Sequence, residues 1–291
     1  MKGFARIPGI SQFVQILHYP PGHFYSPIPS LEDIDRTEQM AAQPWPKQLK
    51  GIEINLNAQL ELLNRISEFY KEMPFPEKKT NGKRYFLANP YYSYADAIFL
   101  YGLIRAKRPG RIIEVGSGFS TAAMMDVNEI FFGDSIQISC IEPYPKRLQS
   151  LFQRGDLDKI TLYETKLQDI GIDLFSSLRK NDILFIDSTH VAKAGSDVNR
   201  ILFDILPELS DGVLVHFHDV SYPFEYPGRW LREGRSWNEN YILRAFLEYN
   251  DKFSIAFFTT YLEHFYREVI AEKMPLCLKD PGGSIWLQKA G

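Results

Sequence analysis

The sequence predicts an α/β protein built on a doubly wound, Rossmann-like sheet of seven strands, the last of them antiparallel, preceded by a helical and irregular N-terminal extension. From residue 94 onward, apolar runs typical of buried strands alternate with helical patterns about every twenty to thirty residues. This alternation indicates right-handed crossovers and a parallel sheet with helices on both faces. The hydrophobic content of 45% over 291 residues is enough for a full core.

The strands and helices follow one another in order along this region. Strands are predicted over 111–115, 136–142, 160–164, 182–187, 212–218 and 252–258, and within the final GSIWLQK. Helices are predicted over YADAIFLYGLIRAK and near 119–131, 145–153, 172–179, 194–206, 240–249 and 260–272. The turn DPGG before the last strand suits a closing strand inserted antiparallel at the sheet edge.

Two regions extend this α/β pattern, which is predicted to form one domain over 86–291. Residues 1–85 form an extension. Residues 1–50 are rich in proline and aromatic residues and indicate an irregular arm packed on the body, and a stripe from Leu56 to Tyr70 indicates an amphipathic helix.

The second region is an insertion at 221–240. It suits a sugar or an aromatic acceptor bearing an acid, although a packed loop or an interface would use the same side chains. Its aromatic and basic residues are Tyr222, Phe224, Tyr226, Trp230, Trp237, Arg229 and Arg235.

Charge, cysteine content and hydropathy exclude several classes of protein. The 33 basic and 36 acidic residues are mixed, with no block of like charge to follow a phosphate backbone, which argues against a nucleic-acid partner. Cys140 and Cys277 are too few for a disulfide framework or a multi-cysteine zinc site, so both are expected to be buried and reduced. No run reaches the roughly 18 apolar residues of a membrane span, and the start MKGFARIPGISQFVQ lacks a leader pattern. We therefore expect a cytoplasmic protein without a membrane partner; a homo-oligomer is left open.

The stretch RPGRIIEVGSGFSTAAMM, at 108–125, joins the first strand to a helix through a glycine turn. In open parallel sheets, ligands bind beyond the carboxyl ends of the strands, at this point of the topology. Gly116 and Gly118 remove Cβ atoms there, and the helix that begins near Ser120 directs free N–H groups to the same place. An isolated G-x-G is also compatible with a tight turn that binds nothing.

Two residues distinguish this turn from a dinucleotide fingerprint, and a third, at the end of the next strand, suits a ribose. Thr121 stands where the third glycine of that fingerprint belongs, and Glu114 would repel a pyrophosphate but attract a cation. Glu142, at the end of the second strand, can accept hydrogen bonds from both hydroxyls of a ribose. Together they indicate a nucleoside that bears a cationic amino acid.

The region from about residue 85 to the C-terminus resembles the class I S-adenosylmethionine-dependent methyltransferases. The similarity lies in EVGSGFS, in the acid of CIEPYP, in LFIDSTH and in PGGSIWL. The family pattern is acid-x-Gly-x-Gly-x-Gly, and this chain has Ser120 at the last glycine. The resemblance implies S-adenosylmethionine as cofactor, with Glu142 at the ribose, and Leu167 and Gln168 at the adenine edge. The other implied cofactor contacts are Glu114, Gly116, Ser117, Gly118, Phe119, Ser120 and Asp187.

A second group of polar residues follows the fourth and fifth strands. FIDSTHVAKAGSDV places Asp187 and His190 after one, and VLVHFHDVSYP places His218 and Asp219 after the other. Because neighbouring parallel strands end side by side, these four residues are predicted to converge as a catalytic group that deprotonates a hydroxyl or holds a divalent cation. The alternative is structural, with His216 and His218 alternating on a strand and Asp187 capping a turn.

The same residues resemble the methyltransferase branch of sugar and macrolide O-methyltransferases and cephalosporin-hydroxylase-like proteins, where an IDGxH-like strand is followed by HD. The resemblance implies Asp187 and Asp219 as Mg²⁺ ligands, although His218 replaces one expected acid. We therefore predict O-methylation of a small-molecule hydroxyl, with His190 or His218 as the base. The alternatives are an NAD(P)-dependent oxidoreductase, which Glu114 and Thr121 disfavour, and a noncatalytic nucleoside-binding protein.

Overall fold

The computed structural model describes residues 18–290, which divide into two compact units. The smaller unit contains residues 18–45 and Tyr226–Trp237; the larger contains Pro46–Glu225 and the chain from Asn238 onward. The stretch MKGFARIPGISQFVQ lies outside the described residues. Within residues 18–290, no helix combines the length and the apolar composition needed to traverse a bilayer. The predicted domain boundary between residues 85 and 86 stays a prediction.

The larger unit is built on a seven-stranded sheet in the order β3-β2-β1-β4-β5-β7-β6. The neighbours among β1 to β5 pair in parallel, whereas β7 is antiparallel to both β5 and β6, so the predicted fold class is confirmed. The strands are β1 (Arg111–Val115), β2 (Gln137–Ile141), β3 (Ile160–Tyr163), β4 (Ile183–Ile186), β5 (Leu214–His218), β6 (Phe253–Phe258) and β7 (Ser284–Lys289).

The position of β7 corrects one expectation. The last strand is not at the sheet edge: it lies between β5 and β6, and β6 forms that edge. Its side chains from Ser284 to Leu287 are buried, as expected for a strand hydrogen-bonded on both sides. The turn before it indicates a change of direction but not the neighbours with which the strand pairs.

Helices cover this sheet, and most begin where the sequence predicts. The predicted helix from Leu56 is shorter than its apolar stripe and ends at Ser67. The helices of the larger unit are α2 (Leu56–Ser67), α3 (Tyr94–Lys107), α4 (Phe119–Phe132), α5 (Lys146–Gln149), α6 (Ile172–Ser176), α7 (Asp197–Arg200), α8 (Leu206–Glu208), α10 (Glu239–Leu247), α11 (Thr259–Phe265) and α12 (Arg267–Lys273). A π-helical turn, Ile201–Ile205, joins α7 to α8.

The smaller unit contains two helices that the sequence analysis did not predict, α1 (Leu31–Ala41) and α9 (Gly228–Arg232). Ser30 caps α1: its hydroxyl accepts from the Asp33 N–H at 3.1 Å, and the Asp33 carboxylate accepts from the Ser30 N–H at 3.0 Å. This capping box is readable in the sequence. The core of the unit consists of Ile34, Tyr226, Leu231, Trp230 and Trp237.

The aromatic residues of the insertion are used mainly for packing. Tyr222 and Phe224 are buried in the larger unit, and Tyr226 is buried in the smaller one. In the smaller unit the Arg235 guanidinium stacks on Trp230 and Trp237, 4.8 and 5.1 Å from the ring centroids. The packed-loop alternative therefore describes these side chains better than an open acceptor platform does.

A buried ion cluster joins the chain before α3 to α4 and to the turn before β3. The Arg84 guanidinium donates to Asp156 through two nitrogens at 2.7 and 2.8 Å, to Asp126 at 2.8 Å and to Glu129 at 2.8 Å. Arg84, Asp126 and Asp156 are each at most 4% exposed. Burial lowers the pKa of Arg84, but the hydrogen bonds to the carboxylates outweigh this effect and raise that pKa, so the guanidinium stays charged.

Candidate active site

The glycine turn between β1 and α4 is shaped by its contact with β4. Gly116 has φ +78°, and a Cβ added there would lie 2.0 Å from the carbonyl oxygen of Asp187. Gly116 therefore allows the ends of β1 and β4 to approach each other. From the sequence, the absence of a Cβ at this position is expected to make room for a ligand. Gly118 has extended backbone, and a Cβ added there would be in van der Waals contact with the Arg147 Cδ, 3.4 Å away.

Glu114 lies beneath this turn, fully buried. Its carboxylate accepts from the Ser120 hydroxyl at 2.6 Å and from the Thr121 hydroxyl, while the Thr121 oxygen accepts from the Gly118 N–H at 3.1 Å. Burial raises the pKa of Glu114 to about 7, against the opposing effect of these hydroxyl donors. Glu114 thus fixes the start of α4, and its predicted contact with a cationic ligand stays a prediction.

Substituting Gly116 by alanine is expected to destabilise the protein more than substituting Gly155, a glycine at φ +88° with no atom within 4 Å of an added Cβ. Both variants place a Cβ in the left-handed region, which costs about 1–2 kcal/mol. Only Gly116→Ala adds a collision with the β4 backbone. Urea unfolding of the two variants measures the difference, and equal losses would show that the β1–β4 contact yields without cost.

A cleft of about 470 Å³ opens beyond the carboxyl ends of β1, β2 and β4. Five of the predicted cofactor contacts line it: Gly116, Glu142, Leu167, Gln168 and Asp187. The remaining predicted contacts in the turn, Ser117, Gly118, Phe119 and Ser120, adjoin this wall without lining it. The rest of the lining is Val115, Ile141, Pro143, Tyr144, Lys166, Ser188, Thr189, Lys193, Gly195, Ser196 and Asp197.

Glu142 occupies the wall of the cleft with its carboxylate held from behind. One oxygen accepts from the Ser117 N–H at 3.1 Å and the other from the Tyr144 N–H at 2.8 Å. An ionised carboxylate offers about four lone-pair directions, so two backbone donors leave room for two hydroxyls. The half-buried position of Glu142 therefore fits a diol in the cleft.

The four residues predicted at the ends of β4 and β5 converge next to this cleft. Ligand atoms of Asp187, His218 and Asp219 all lie within 4.8 Å of one another. The Nε2 atom of His190 is 3.4 Å from Asp187 Oδ1 and 3.7 Å from Asp219 Oδ2. His190 and Asp219 have φ values of 59° and 56°, an uncommon conformation for residues other than glycine that occurs often at functional sites.

A fifth member of this cluster, Glu239, was not anticipated from the sequence. It is 1% exposed at the start of α10, and its Oε2 is 2.8 Å from His190 Nδ1. Its other oxygen accepts from the Ser188 hydroxyl at 2.9 Å, and the same Ser188 oxygen accepts from the His190 N–H at 3.0 Å. His190 is thus held on one ring nitrogen, with the other directed to Asp187 and Asp219.

Comparison with known proteins agrees with this geometry. A family described as a methyltransferase domain matches residues 113–220, from β1 to the residue after Asp219. Residues 113–220 therefore form a methyltransferase domain.

The chain is similar to one curated protein and, at low identity, to several solved structures. An uncharacterised protein of Archaeoglobus fulgidus is 35% identical over 171 residues, which cover 57% of this chain and 76% of that one. A Podospora anserina methyltransferase with bound S-adenosylhomocysteine is 16% identical, with a TM-score of 0.45 over 90% of this chain and 97% of that chain. The O-methyltransferase TomG of Streptomyces achromogenes, in complex with S-adenosylmethionine, is 14% identical, with a TM-score of 0.45 over 79% and 90%.

Carboxylates dominate the electrostatics of the polar cluster in this methyltransferase. Burial lowers the pKa of both histidines, but Asp187 and Glu239 together raise that of His190 well above its ordinary value, and Asp219 with Asp187 raises that of His218. For Asp187, burial is outweighed by His218 and His190, and its pKa is lowered. The cluster therefore favours positive charge in its centre.

Two further titratable groups beside this cluster have pKa values that are shifted in opposite directions. Asp96, which the sequence analysis did not single out, accepts from the Gly283 N–H at 3.0 Å, and burial raises its pKa to about 6. His216 is fully buried and stacks on Phe185 with ring centroids 3.9 Å apart. Burial lowers the pKa of His216 well below its ordinary value, so His216 is a neutral core residue.

Proposed function

We propose that this methyltransferase transfers the methyl group to a hydroxyl of a small-molecule acceptor. The strongest support is the position of Asp187. This residue lines the cleft, and its Oδ1 also lies 3.4 Å from His190 Nε2. A proton acceptor is thereby next to the cofactor cleft, where an acceptor hydroxyl must be deprotonated. The mixed surface charge favours a small molecule over nucleic acid. A cytoplasmic location stays a prediction, and a homo-oligomer stays an open alternative.

The residues of the cleft fit S-adenosylmethionine. The cofactor, when bound, supplies a methyl group activated by positively charged sulfur. Glu142 would hold the ribose hydroxyls, because its carboxylate is oriented by two backbone N–H groups and faces the cleft. Leu167 and Gln168 would border the adenine, and the glycine turn would border the amino-acid part. Gln168 is fixed by its own hydrogen bond to the Gly195 carbonyl, at 2.8 Å.

The cluster at the ends of β4 and β5 also fits a divalent cation. Asp187, His218 and Asp219 offer two carboxylates and one imidazole within 4.8 Å. Oxygen ligands suit Mg²⁺, and an imidazole in the set extends the choice to transition metals. When bound, such an ion acts as a Lewis acid that favours the ionised form of a coordinated hydroxyl. The two aspartates and His218 would hold the ion. The remaining steps depend on protein side chains alone.

His190 is the group we propose to accept the hydroxyl proton. Only its neutral form can do so. Burial lowers its pKa, but Asp187 and Glu239 outweigh burial and raise that pKa, so methyl transfer should increase as the pH rises. Glu239 fixes Nδ1, so Nε2 is presented towards the cleft side, beside Asp187 and Asp219. A carboxylate on Nδ1 stabilises the imidazolium formed when Nε2 takes a proton. Alignment of acceptor and cofactor can lower the barrier by about 7–11 kcal/mol in favourable cases.

The test is transfer from methyl-labelled S-adenosylmethionine to acceptors in a small-molecule extract, followed by mass spectrometry. Label on a hydroxyl oxygen supports the proposal, and label only on nitrogen or carbon contradicts it. Treatment with EDTA separates the two forms of the mechanism. Loss of activity that magnesium restores means that the aspartates hold a metal, and unchanged activity means that His190 works without one.

Glu239→Gln is expected to slow turnover by about 10–100-fold, as is typical when a carboxylate that orients a histidine is removed. Glutamine can still bond Nδ1 but does not stabilise the imidazolium, so the pH profile of kcat should shift while KM for the cofactor stays unchanged. Glu248→Gln, in an exposed pair with Arg244 just after the same helix, is the control. Equal rates for the two variants would contradict the positioning role of Glu239.

A further inference from the structure

Arg147 has a positive charge that no neighbouring acid neutralises. It belongs to α5, directly after β2, and is exposed. Among residues 18–290, no carboxylate lies within 4.0 Å of its guanidinium, and no hydrogen-bond acceptor engages it. The side chain is nevertheless placed: its Cζ lies 3.9 Å from the ring centroid of Tyr91, at cation–π distance.

This stacked guanidinium adjoins the glycine turn. Tyr91 stacks in turn on Phe119, the first residue of α4, with ring centroids 5.8 Å apart and planes at 23°. The Arg147 Cδ is 3.4 Å from the position of a Cβ at Gly118. Arg147 therefore borders the glycine turn next to the wall of the cleft without lining the cleft itself, and no acceptor among residues 18–290 engages its donors.

The start of α4 adds to the positive potential there. The first N–H groups of a helix lack intrahelical partners, and the first backbone bond of α4 runs from the Ala122 N–H to the Gly118 carbonyl at 3.1 Å. Glu114, the acid of the turn, faces away from the cleft into the buried hydroxyl contacts of Ser120 and Thr121. The outer side of the turn thus holds the free N–H groups of α4 and Arg147, with Glu142 bound at the Ser117 N–H, and the inner side holds Glu114.

We propose that Arg147 binds the carboxylate of the amino-acid part of the cofactor. The inference rests on the placement of that part at the glycine turn, proposed above. An arginine fork pairs with a carboxylate through two parallel hydrogen bonds, and stacking on Tyr91 orders the fork before the ligand arrives. The residue thereby selects the intact amino-acid cofactor over nucleosides that lack the carboxylate.

Calorimetry with two ligands tests this assignment. Arg147→Met keeps most of the apolar stem and removes the charge. We expect its affinity for S-adenosylhomocysteine to fall by about 10–100-fold, the loss typical of charge-assisted hydrogen bonds. Its affinity for 5′-methylthioadenosine, which has no amino-acid part, should stay unchanged. Lys146→Met, the neighbouring residue with the same change of charge, should bind both ligands as the wild type does.

The outcomes separate this inference from the placement on which it rests. Wild-type protein that binds S-adenosylhomocysteine more tightly than 5′-methylthioadenosine, with the same preference in Arg147→Met, overturns the inference and leaves the cofactor site intact. Equal losses for both ligands in Arg147→Met show a structural role and also overturn it. Wild-type protein that binds neither ligand overturns the cofactor placement together with the inference.

Discussion

Asp219→Asn is expected to reduce the rate of methyl transfer by about 10²–10⁴-fold, the range that general acid–base assistance supplies, with little change in cofactor affinity. Asp219 lies at the end of β5, 3.7 Å from His190 Nε2 and 3.6 Å from His218 Nε2. Asparagine has nearly the same shape but no charge, so both the proton acceptor and the proposed cation lose one anionic partner. Cofactor affinity should persist because Asp219 does not line the cleft.

The measurement is single-turnover transfer to an identified acceptor, alongside calorimetry with S-adenosylhomocysteine. Asp204→Asn removes an exposed carboxylate that pairs with Arg200 on the helical surface, and it should leave both quantities unchanged. Asp187→Asn should differ from Asp219→Asn by also weakening the cofactor, because Asp187 lines the cleft. Full activity of Asp219→Asn would mean that the convergence of the two strand ends is structural.

The convergence of the four residues at the ends of β4 and β5 could be predicted because it depends on backbone topology alone. These residues are Asp187, His190, His218 and Asp219. Strands β4 and β5 are apolar runs whose polar ends are visible in the sequence, and parallel neighbours end at one edge. The position of β7 could not be predicted in the same way. Its pairing with β5 and β6 is a long-range choice, and DPGG encodes only the reversal of direction.

The direction in which each side chain points is the property of the binding site that the sequence does not reveal. Glu114 and Glu142 both look like ligand-facing acids in the sequence, yet Glu114 is directed beneath the turn into hydroxyl donors and only Glu142 faces the cleft. Glu239 is separated from His190 by 49 positions and lies within a stretch rich in aromatic residues. No short-range sequence pattern links Glu239 to His190, because the two meet only where the chain comes back to His190 at the start of α10.

The insertion shows a different ambiguity. Aromatic side chains bury large apolar areas whether the partner is a ligand or the protein core, so composition alone does not separate the two uses. The structure buries Tyr222 and Phe224, and their rings pack on Phe258 of β6 with centroids 5.6 and 5.3 Å away. Tyr222 and Phe224 are therefore core residues and do not form an open acceptor surface.

Arg84→Met is expected to lower the free energy of unfolding by about 3–5 kcal/mol, the cost of removing one partner from a buried ion cluster. Methionine fills much of the space but leaves the carboxylates of Asp126 and Asp156, each at most 2% exposed, without the guanidinium that balances them. The Lys159 ammonium, 2.7 Å from Glu129, neutralises only the exposed edge of the cluster.

Urea unfolding at neutral pH measures this loss. Arg244→Met is the matched control, because Arg244 pairs with Glu248 on the surface, with side chains 43% and 35% exposed, and such pairs contribute about 0–1 kcal/mol. The double variant Arg84→Met, Asp156→Asn should recover part of the loss, since it removes one of the unbalanced charges. If Arg84→Met loses no more than Arg244→Met, the attraction within the cluster only offsets its desolvation, and apolar packing alone holds the chain before α3 against α4.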